Sequence, residues 1–342
     1  MSEVRAKKAL GQHFLVDLNI ARKICDALSG GERPGAGAET RANAAGYAGA
    51  GAEARTMAAG SADAGAEART KATGTADADA ETRRSVAASA DARLAADTTA
   101  AGAPAAAEEE RGGAVPCDVL EVGCGMGVLT QYLLRRGDIT TYGAEIDPES
   151  VGYLHAHFPE FAPRLIEGDF LKMNLRERFP RGLKIIGNFP YNISSQIFFK
   201  VLEHRDLVPE CVGMIQKEVA VRIAEPPGSK EYGILSVLLQ AWYDIEYLFT
   251  VNETVFNPPP KVKSAVIRLR RNSVGRLGCD EALFVKVVKA SFGQRRKMIR
   301  NSLRAVFGDF GGAEHPFFTQ RAEQLSVADF VQLTDWVAAN RK

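Results

Sequence analysis

Long apolar runs are missing from this 342-residue sequence. No stretch approaches the ~18 consecutive apolar residues of a spanning helix, so a helical membrane protein is not expected. The opening residues, MSEVRAKKALGQHF, lack an apolar h-region and a cleavage signal. That argues against secretion and for a cytoplasmic protein. Cysteine is sparse: Cys25, Cys117, Cys124, Cys211 and Cys279 stand apart, with no C-x-x-C pair. Such spacing supports neither a zinc site nor a disulfide framework, so reduced thiols and no metal are expected. Net charge is also close to absent, at +1.

That balance hides an asymmetry. Between Gly30 and Val115 there are 13 acidic and 9 basic residues, so the remainder of the chain carries +5. Residues 261–304 hold 13 Lys and Arg against only Asp280 and Glu281. One-sided density of this kind suits a phosphate-bearing partner, although a solvated face has the same composition.

Large apolar residues are scarce from Gly30 to Ala114, where only Tyr47, Met57, Val86 and Leu94 occur. The hexamer GAEART stands at 51–56 and again at 65–70. Alanine favours helix locally, but with no apolar stripe to bury, the entropy of ordering goes uncompensated. Residues 30–114 are expected to form a disordered, low-complexity insert. The stretch before it ends in a helical pattern, with Ile20, Ile24 and Leu28 on one face.

What is present after the insert is an alternation of strands and helices. CDVLEV runs into a glycine loop and a helix, and TTYGAEID, RLIEGDF and LKIIGNFPY follow as further strands separated by helical patterns. This order implies a parallel, doubly wound α/β sheet. The stretch 236–270 reads as strands closing the sheet edge, and helical periodicity returns from about Asp280. The expected organisation is an N-terminal arm and first helix (1–29), the insert (30–114), a sheet domain (115–271) and a helical C-terminal domain (272–342).

Gly123, Gly125 and Gly127 lie just past the first of these strands, where backbone can approach a ligand closely. Tight helix–strand packing accounts for such a loop nearly as well. Glu145 ends the next strand, 22 positions after Gly123, where a carboxylate can accept from ribose hydroxyls. Asp169 ends the third strand, near where an adenine edge would lie. A dinucleotide fingerprint wants a small residue at 128, where Val128 stands. The G-x-G-x-G spacing suits S-adenosylmethionine, which has no pyrophosphate to cradle.

The fourth strand ends in GNFPY. An adenine amino group is a poor nucleophile, because its lone pair is delocalised into the ring. The Asn188 side-chain carbonyl, with a main-chain carbonyl from Phe189 or Pro190, could accept its two N–H bonds and redirect that lone pair. Tyr191 offers a stacking face for an extruded base. Catalysis of this kind rests on positioning and electrostatics.

With these residues in place, the chain resembles the small-subunit ribosomal RNA adenine N6,N6-dimethyltransferases of the KsgA/RsmA type. The resemblance rests on KKALGQHFLVD (7–17), LEVGCGMGVLT (120–130), AEID (144–147), EGDFL (167–171), GNFPYNISS (187–195), MIQKEVAVRI (214–223), YGILSV (232–237), VFNPPPKVKSAVIRL (255–269) and SFGQRRKMIRNSL (291–303). It implies a Rossmann-like class I S-adenosylmethionine-dependent methyltransferase sheet with a small all-helical C-terminal domain. It also implies dimethylation of two adjacent adenosines in the 3′-terminal hairpin loop of 16S rRNA, late in 30S assembly, by a monomer acting on the immature subunit. Carried over by motif, cofactor contacts fall to His13, Leu15, Gly123, Gly125, Glu145, Asp169 and Asn188. Catalytic roles fall to Asn188, Pro190, Tyr191 and Phe256, the last as a second stacking ring. RNA contacts fall to Arg295, Arg296, Lys297 and Arg300 on a basic helix. Cys124 replaces a frequent proline, and Phe189 replaces a more usual Leu or Ile, which could tighten the pocket. Two other readings stay open: a large-subunit adenine methylase of the macrolide-resistance type, and a non-catalytic assembly factor.

Overall fold

The computed structural model describes residues 4–30 and 116–341. Apart from Gly30, the expected insert lies outside the described residues.

The N-terminal arm carries a short strand β1 (Phe14–Leu15) and helix α1 (Leu18–Asp26). Asp17 caps that helix by accepting from the Asn19 and Ile20 N–H groups, and Ala21, Ile24 and Cys25 form its buried face. Then come β2 (Cys117–Val122), α2 (Thr130–Leu133), β3 (Ile139–Glu145), α3 (Pro148–His157), β4 (Leu165–Glu167) and α4 (Leu175–Arg178). They are followed by β5 (Lys184–Asn188), α5 (Ser194–Glu203), β6 (Glu210–Gln216), α6 (Lys217–Ala224) and α7 (Ile234–Gln240). The last strands are β7 (Tyr243–Val251), β8 (Phe256–Asn257) and β9 (Ser264–Arg271), and the chain finishes with α8 (Glu281–Gly293), α9 (Ile299–Phe307) and α10 (Val327–Asn340).

Seven strands form one sheet in the order β4-β3-β2-β5-β6-β9-β7. The first five are parallel, and β9 runs antiparallel to both of its neighbours. This is the class I methyltransferase sheet that the alternation predicts. The strands are apolar on both faces because helices cover both, as in β5, where Ile185 and Ile186 are fully buried on opposite sides. One difference from the sequence reading falls at 236–240, expected as strand and found within helix α7. Leu235, Ser236, Val237, Leu238 and Leu239 are all buried, so α7 is apolar all round and shows no 3.6-residue period.

The C-terminal helices pack onto the sheet's own helix layer. A continuous apolar cluster joins Leu269 and Trp242 to Phe284, Leu303, Phe330 and Val337. Within it the Trp242 and Phe284 rings meet edge-on at 6.0 Å.

The amino ends of the strands are closed by a buried ion pair. Lys184, the first residue of β5, and Glu210, the first of β6, are each 3 % exposed, with Nζ and Oε2 3.2 Å apart. Lys184 Nζ also donates to the Ser29 and Gly30 carbonyls at 3.1 and 2.8 Å, and Glu210 accepts from the Ser29 N–H. The tail of α1 is thereby fixed to the sheet at the end away from the glycine loop.

Candidate active site

A cleft opens beyond the carboxyl ends of β2, β3 and β5, and the N-terminal arm forms its remaining wall. Gly123 and Gly125 line it with φ of 76° and 54°, a region where L side chains are strained. A Cβ on Gly125 would also stand 3.2 Å from the Phe14 ring, so this loop and the arm meet through a glycine.

Glu145 reaches the cleft from the end of β3 and is 4 % exposed. Its Oε2 accepts from the Gly125 N–H at 2.8 Å, and its Oε1 from the Ile146 and Asp147 N–H groups at 2.8 and 2.9 Å. Burial pushes its carboxyl above the ordinary range, and the three N–H groups oppose that shift. Asp169 is more open. Its Oδ1 accepts from the Leu171 N–H at 2.9 Å, and its Oδ2 lies 4.0 Å from Lys172 Nζ.

Asn188 ends β5, and its Nδ2 donates to the His13 carbonyl at 2.9 Å. That bond fixes the amide orientation and leaves Oδ1 as the free acceptor. The His13 ring stands 5.3 Å from the Tyr191 ring, tilted by 31°. His13 Nδ1 donates to the Pro258 carbonyl at 2.9 Å, so this ring joins the arm, the NFPY loop and the segment before β9. Tyr191 Oη and Ser264 Oγ are 2.5 Å apart, which anchors the far end of the tyrosine. The Pro190 carbonyl accepts from the Ile193 N–H at 3.2 Å, so of the two main-chain carbonyls after Asn188 it is the one already engaged.

The charge of the cleft tests which nucleotide it fits. Glu145 and Asp169 line it, and among the described residues no lysine or arginine does, the nearest cation to Asp169 being Lys172 at 4.0 Å. Two carboxylates on a lining without cations oppose a pyrophosphate and favour a sulfonium and an ammonium group. The donor set therefore fits S-adenosylmethionine.

His13, Gly123, Gly125, Glu145, Asp169, Asn188, Pro190 and Tyr191 come together as the sequence predicts. Leu15 and Phe256 do not. They pair across the two-stranded ladder of β1 and β8, and both are 3 % exposed, in an apolar cluster with Val251 and Val266. Neither lines the cleft, so the expected second stacking ring is here a core residue.

Phe189 is also core, at 1 % exposure. Its ring lies over Gly187 and Gly213, which face each other across β5 and β6. A Cβ on Gly213 would stand 2.4 Å from the ring, and one on Gly187 2.8 Å. Phe189 thus fills a trough made by two glycines and meets Phe198 edge-on, rather than narrowing the pocket with its ring. Cys124 turns the other way, against Phe161 and Leu154.

The basic stretch differs more. Residues 294–298 form the turn between α8 and α9, not part of one long helix. Arg295 donates to the Lys230 and Tyr232 carbonyls and approaches Glu323 at 4.0 Å. Arg300 is paired with Glu314 and sits over the Phe318 ring. Of the four expected RNA contacts, only Arg296 and Lys297 are exposed with no ion pair among the described residues.

Residues missed from sequence include Lys7, Gln12 and Asp147. Lys7 Nζ pairs with Asp147 and lies 3.1 Å from Glu149, and Gln12 Nε2 donates to Asp147 at 3.3 Å. Burial alone would raise the Asp147 carboxyl, but these partners and Ser150 hold it below the ordinary range. The arm is fastened in this way to the loop that carries Glu145. The available signal was the basic pair of KKALGQHF facing the acids of AEIDPE. Ile146, half exposed on the cleft wall, was missed because an apolar letter between two acids looks like strand end.

Fold and cleft together define a class I S-adenosylmethionine-dependent methyltransferase. Residues 116–339 match the family described as Ribosomal RNA adenine dimethylase. The Ribosomal RNA small subunit methyltransferase A of Porphyromonas gingivalis is 45% identical over 338 residues, 98% of either chain. Its Parabacteroides distasonis counterpart is 60% identical over 218 residues, 63% of this chain and 81% of its own. A solved dimethyladenosine transferase from Plasmodium falciparum superposes with a TM-score of 0.55 at 26% identity, covering 65% of this chain and 90% of its own. The chain belongs to the ribosomal RNA adenine dimethylase family. The alignment with the Porphyromonas gingivalis relative spans almost the whole length of both chains, so a long chain of this kind is not peculiar to this sequence.

Proposed function

We propose that this enzyme dimethylates two adjacent adenosines in the 3′-terminal hairpin loop of small-subunit (16S) rRNA. It would act as a cytoplasmic monomer on the immature 30S subunit, late in assembly. The observation that carries this reading is Asn188 Oδ1, an acceptor with no partner among the described residues, in a cleft that Tyr191 also lines and whose other groups suit S-adenosylmethionine.

Bound S-adenosylmethionine supplies an electrophilic methyl group. Three backbone donors already occupy Glu145, twice on Oε1 and once on Oε2, so a ribose hydroxyl would meet the remaining Oε2 lone pair. Asp169 Oδ2 would accept from the cofactor's adenine amino group. Gly123 and Gly125 would let backbone approach the methionine portion. His13 supports this wall through its carbonyl bond to Asn188.

On the substrate side, Asn188 Oδ1 and the Phe189 carbonyl accept the two N–H bonds of the target amino group. Holding both protons draws the nitrogen toward tetrahedral geometry and turns its lone pair to the methyl. No strong base is needed, because the proton becomes acidic once nitrogen is alkylated. Pro190 fixes the backbone of this turn, and Tyr191 stacks on the extruded base. Arg296 and Lys297 supply phosphate contacts from the helical C-terminal domain over 272–342, while Arg295 ties that domain to the Lys230 and Tyr232 carbonyls and Arg300 pairs within it. The NFPY and acidic groups disfavour a purely non-catalytic assembly factor.

Purified protein should transfer labelled methyl groups to small subunits that lack the modification, giving dimethyladenosine in the 3′-terminal loop. Label confined to large-subunit RNA would overturn the small-subunit assignment.

A further inference from the structure

Residues 255–271 contain five cations and no acidic residue. Three of the five are already committed. Arg268 pairs with Glu246, Arg270 lies 3.5 Å from Glu246 and 3.8 Å from Glu210, and Arg271 donates to the Arg205, Trp242 and Val274 carbonyls. Lys261 and Lys263 are different: both are exposed and neither makes an ion pair among the described residues. Lys217 shares that condition and stands beside them, its N–H donating to the Lys263 carbonyl at 2.9 Å.

Topology puts these three lysines at the catalytic end of the sheet. Because β9 runs antiparallel to β6, its first residue Ser264 pairs with Gln216, the last residue of β6. The lysines flank that pair, and Ser264 is the residue whose hydroxyl holds Tyr191 Oη. The backbone there is stiff, since Pro258, Pro259 and Pro260 precede Lys261 and His13 bonds the Pro258 carbonyl. Val262, 42% exposed, adds an apolar surface between the two cations. Two acids lie nearby: Glu218, exposed on the first turn of α6, and Glu253, part-buried just past Val251, which pairs with Ser264; among the described residues neither makes an ion pair with the three lysines.

We propose that Lys217, Lys261 and Lys263 form a phosphate-binding rim that grips the RNA strand flanking the target base. This rests on the reading that the substrate is RNA. A base extruded onto Tyr191 leaves its neighbouring phosphates close to the residues around Ser264. A rigid set of unpaired ammonium groups there releases counterions on binding without reading sequence. The C-terminal contacts at Arg296 and Lys297 form a second, separate grip.

The test uses the full-length chain carrying Lys217→Gln, Lys261→Gln and Lys263→Gln together. The probe is a fluorescent RNA hairpin with two adjacent adenosines in its loop, titrated across a salt series. The expected result is roughly tenfold weaker binding and a salt slope reduced by about two, from loss of two to three phosphate contacts. S-adenosylmethionine affinity and thermal unfolding should match the unsubstituted protein, and Lys→Arg at the same positions should restore the slope. An unchanged salt slope overturns the proposal, whether or not affinity moves. If labelled methyl goes only to large-subunit RNA while the triple variant binds that RNA weakly with a reduced slope, the rim stands and the small-subunit reading falls.

Discussion

The buried charges Lys184 and Glu210 at the amino end of the central sheet and Glu145 at its carboxyl end are satisfied in different ways. At the amino end, Lys184 and Glu210 face each other, and Ser29 and the Gly30 carbonyl take up their remaining valences. At the carboxyl end, Glu145 is held by three backbone N–H groups and Asp169 by one, with one side of each facing the cleft. A buried charge matched by another side chain closes a structure. A buried carboxylate steadied by backbone donors and lining a cleft, as Glu145 is, is prepared for a ligand. The same distinction sorts the cations: Arg295 and Arg300 are spoken for inside the fold, whereas Arg296, Lys297 and the lysines around Ser264 are not.

The comparison breaks most severely at the amino end. Lys184→Met leaves Glu210 buried with only Arg270 at 3.8 Å and the Ser29 donors, and should cost about 3 kcal/mol in urea unfolding. The double variant Lys184→Met with Glu210→Leu should recover most of that loss. If the single variant unfolds like the parent, the pair is not a structural closure.

At the other end the expected losses appear in binding. Glu145→Ala should weaken S-adenosylmethionine by about a hundredfold and also lower Tm, because three N–H groups lose a buried acceptor at about 1–3 kcal/mol each. Asp169→Ala should weaken the cofactor by about tenfold with little change in Tm, since only one N–H loses its cap. Calorimetry paired with thermal scans separates the two, and equal Tm losses would contradict the difference in how they are held.

A smaller effect concerns Glu121, beneath the glycine loop. It is 1 % exposed and accepts from Thr130 Oγ1 at 2.6 Å. Burial pushes its carboxyl up to about 8 from an ordinary 4.5. The folded state therefore holds a proton that the unfolded chain releases. Its contribution to stability is full below about 4.5 and is lost as pH rises through about 8. Glu121→Gln should flatten the alkaline decline, raising Tm relative to the parent at pH above 8 by a few degrees and changing it least near pH 5. An unchanged pH profile would show that Glu121 is ionised in the fold.

The cofactor half of the site was legible in sequence because strand end, glycine loop and acid recur at fixed offsets, so Gly123, Glu145 and Asp169 needed only the alternation of elements to be placed. Asn188 and Tyr191 were legible through the chemistry an adenine amino group demands. The packing of Leu15 and Phe256 away from the cleft lining was not legible, because a two-residue ladder between the arm and the segment before β9 joins positions far apart in sequence. Phe189 could not be understood without knowing that Gly187 and Gly213 are cross-strand neighbours. The basic stretch showed its charge but not its partners: Glu314 and Glu323 lie in later turns, and only the fold brings them to Arg300 and Arg295. The all-apolar α7 carried no period to read.

The central claim is that Asn188 orients the target amino group rather than serving mainly the cofactor. Asn188→Ala tests it most directly, with S-adenosylmethionine affinity by calorimetry and methyl transfer to small-subunit RNA measured on the same preparation. The arm stays fastened through Lys7 and Asp147 in this variant, so the cleft keeps its wall. The account predicts that cofactor affinity falls by no more than about threefold, while turnover falls by at least about a hundredfold, the scale of one lost positioning donor or acceptor. Equal losses in affinity and turnover would contradict it and assign Asn188 to cofactor binding.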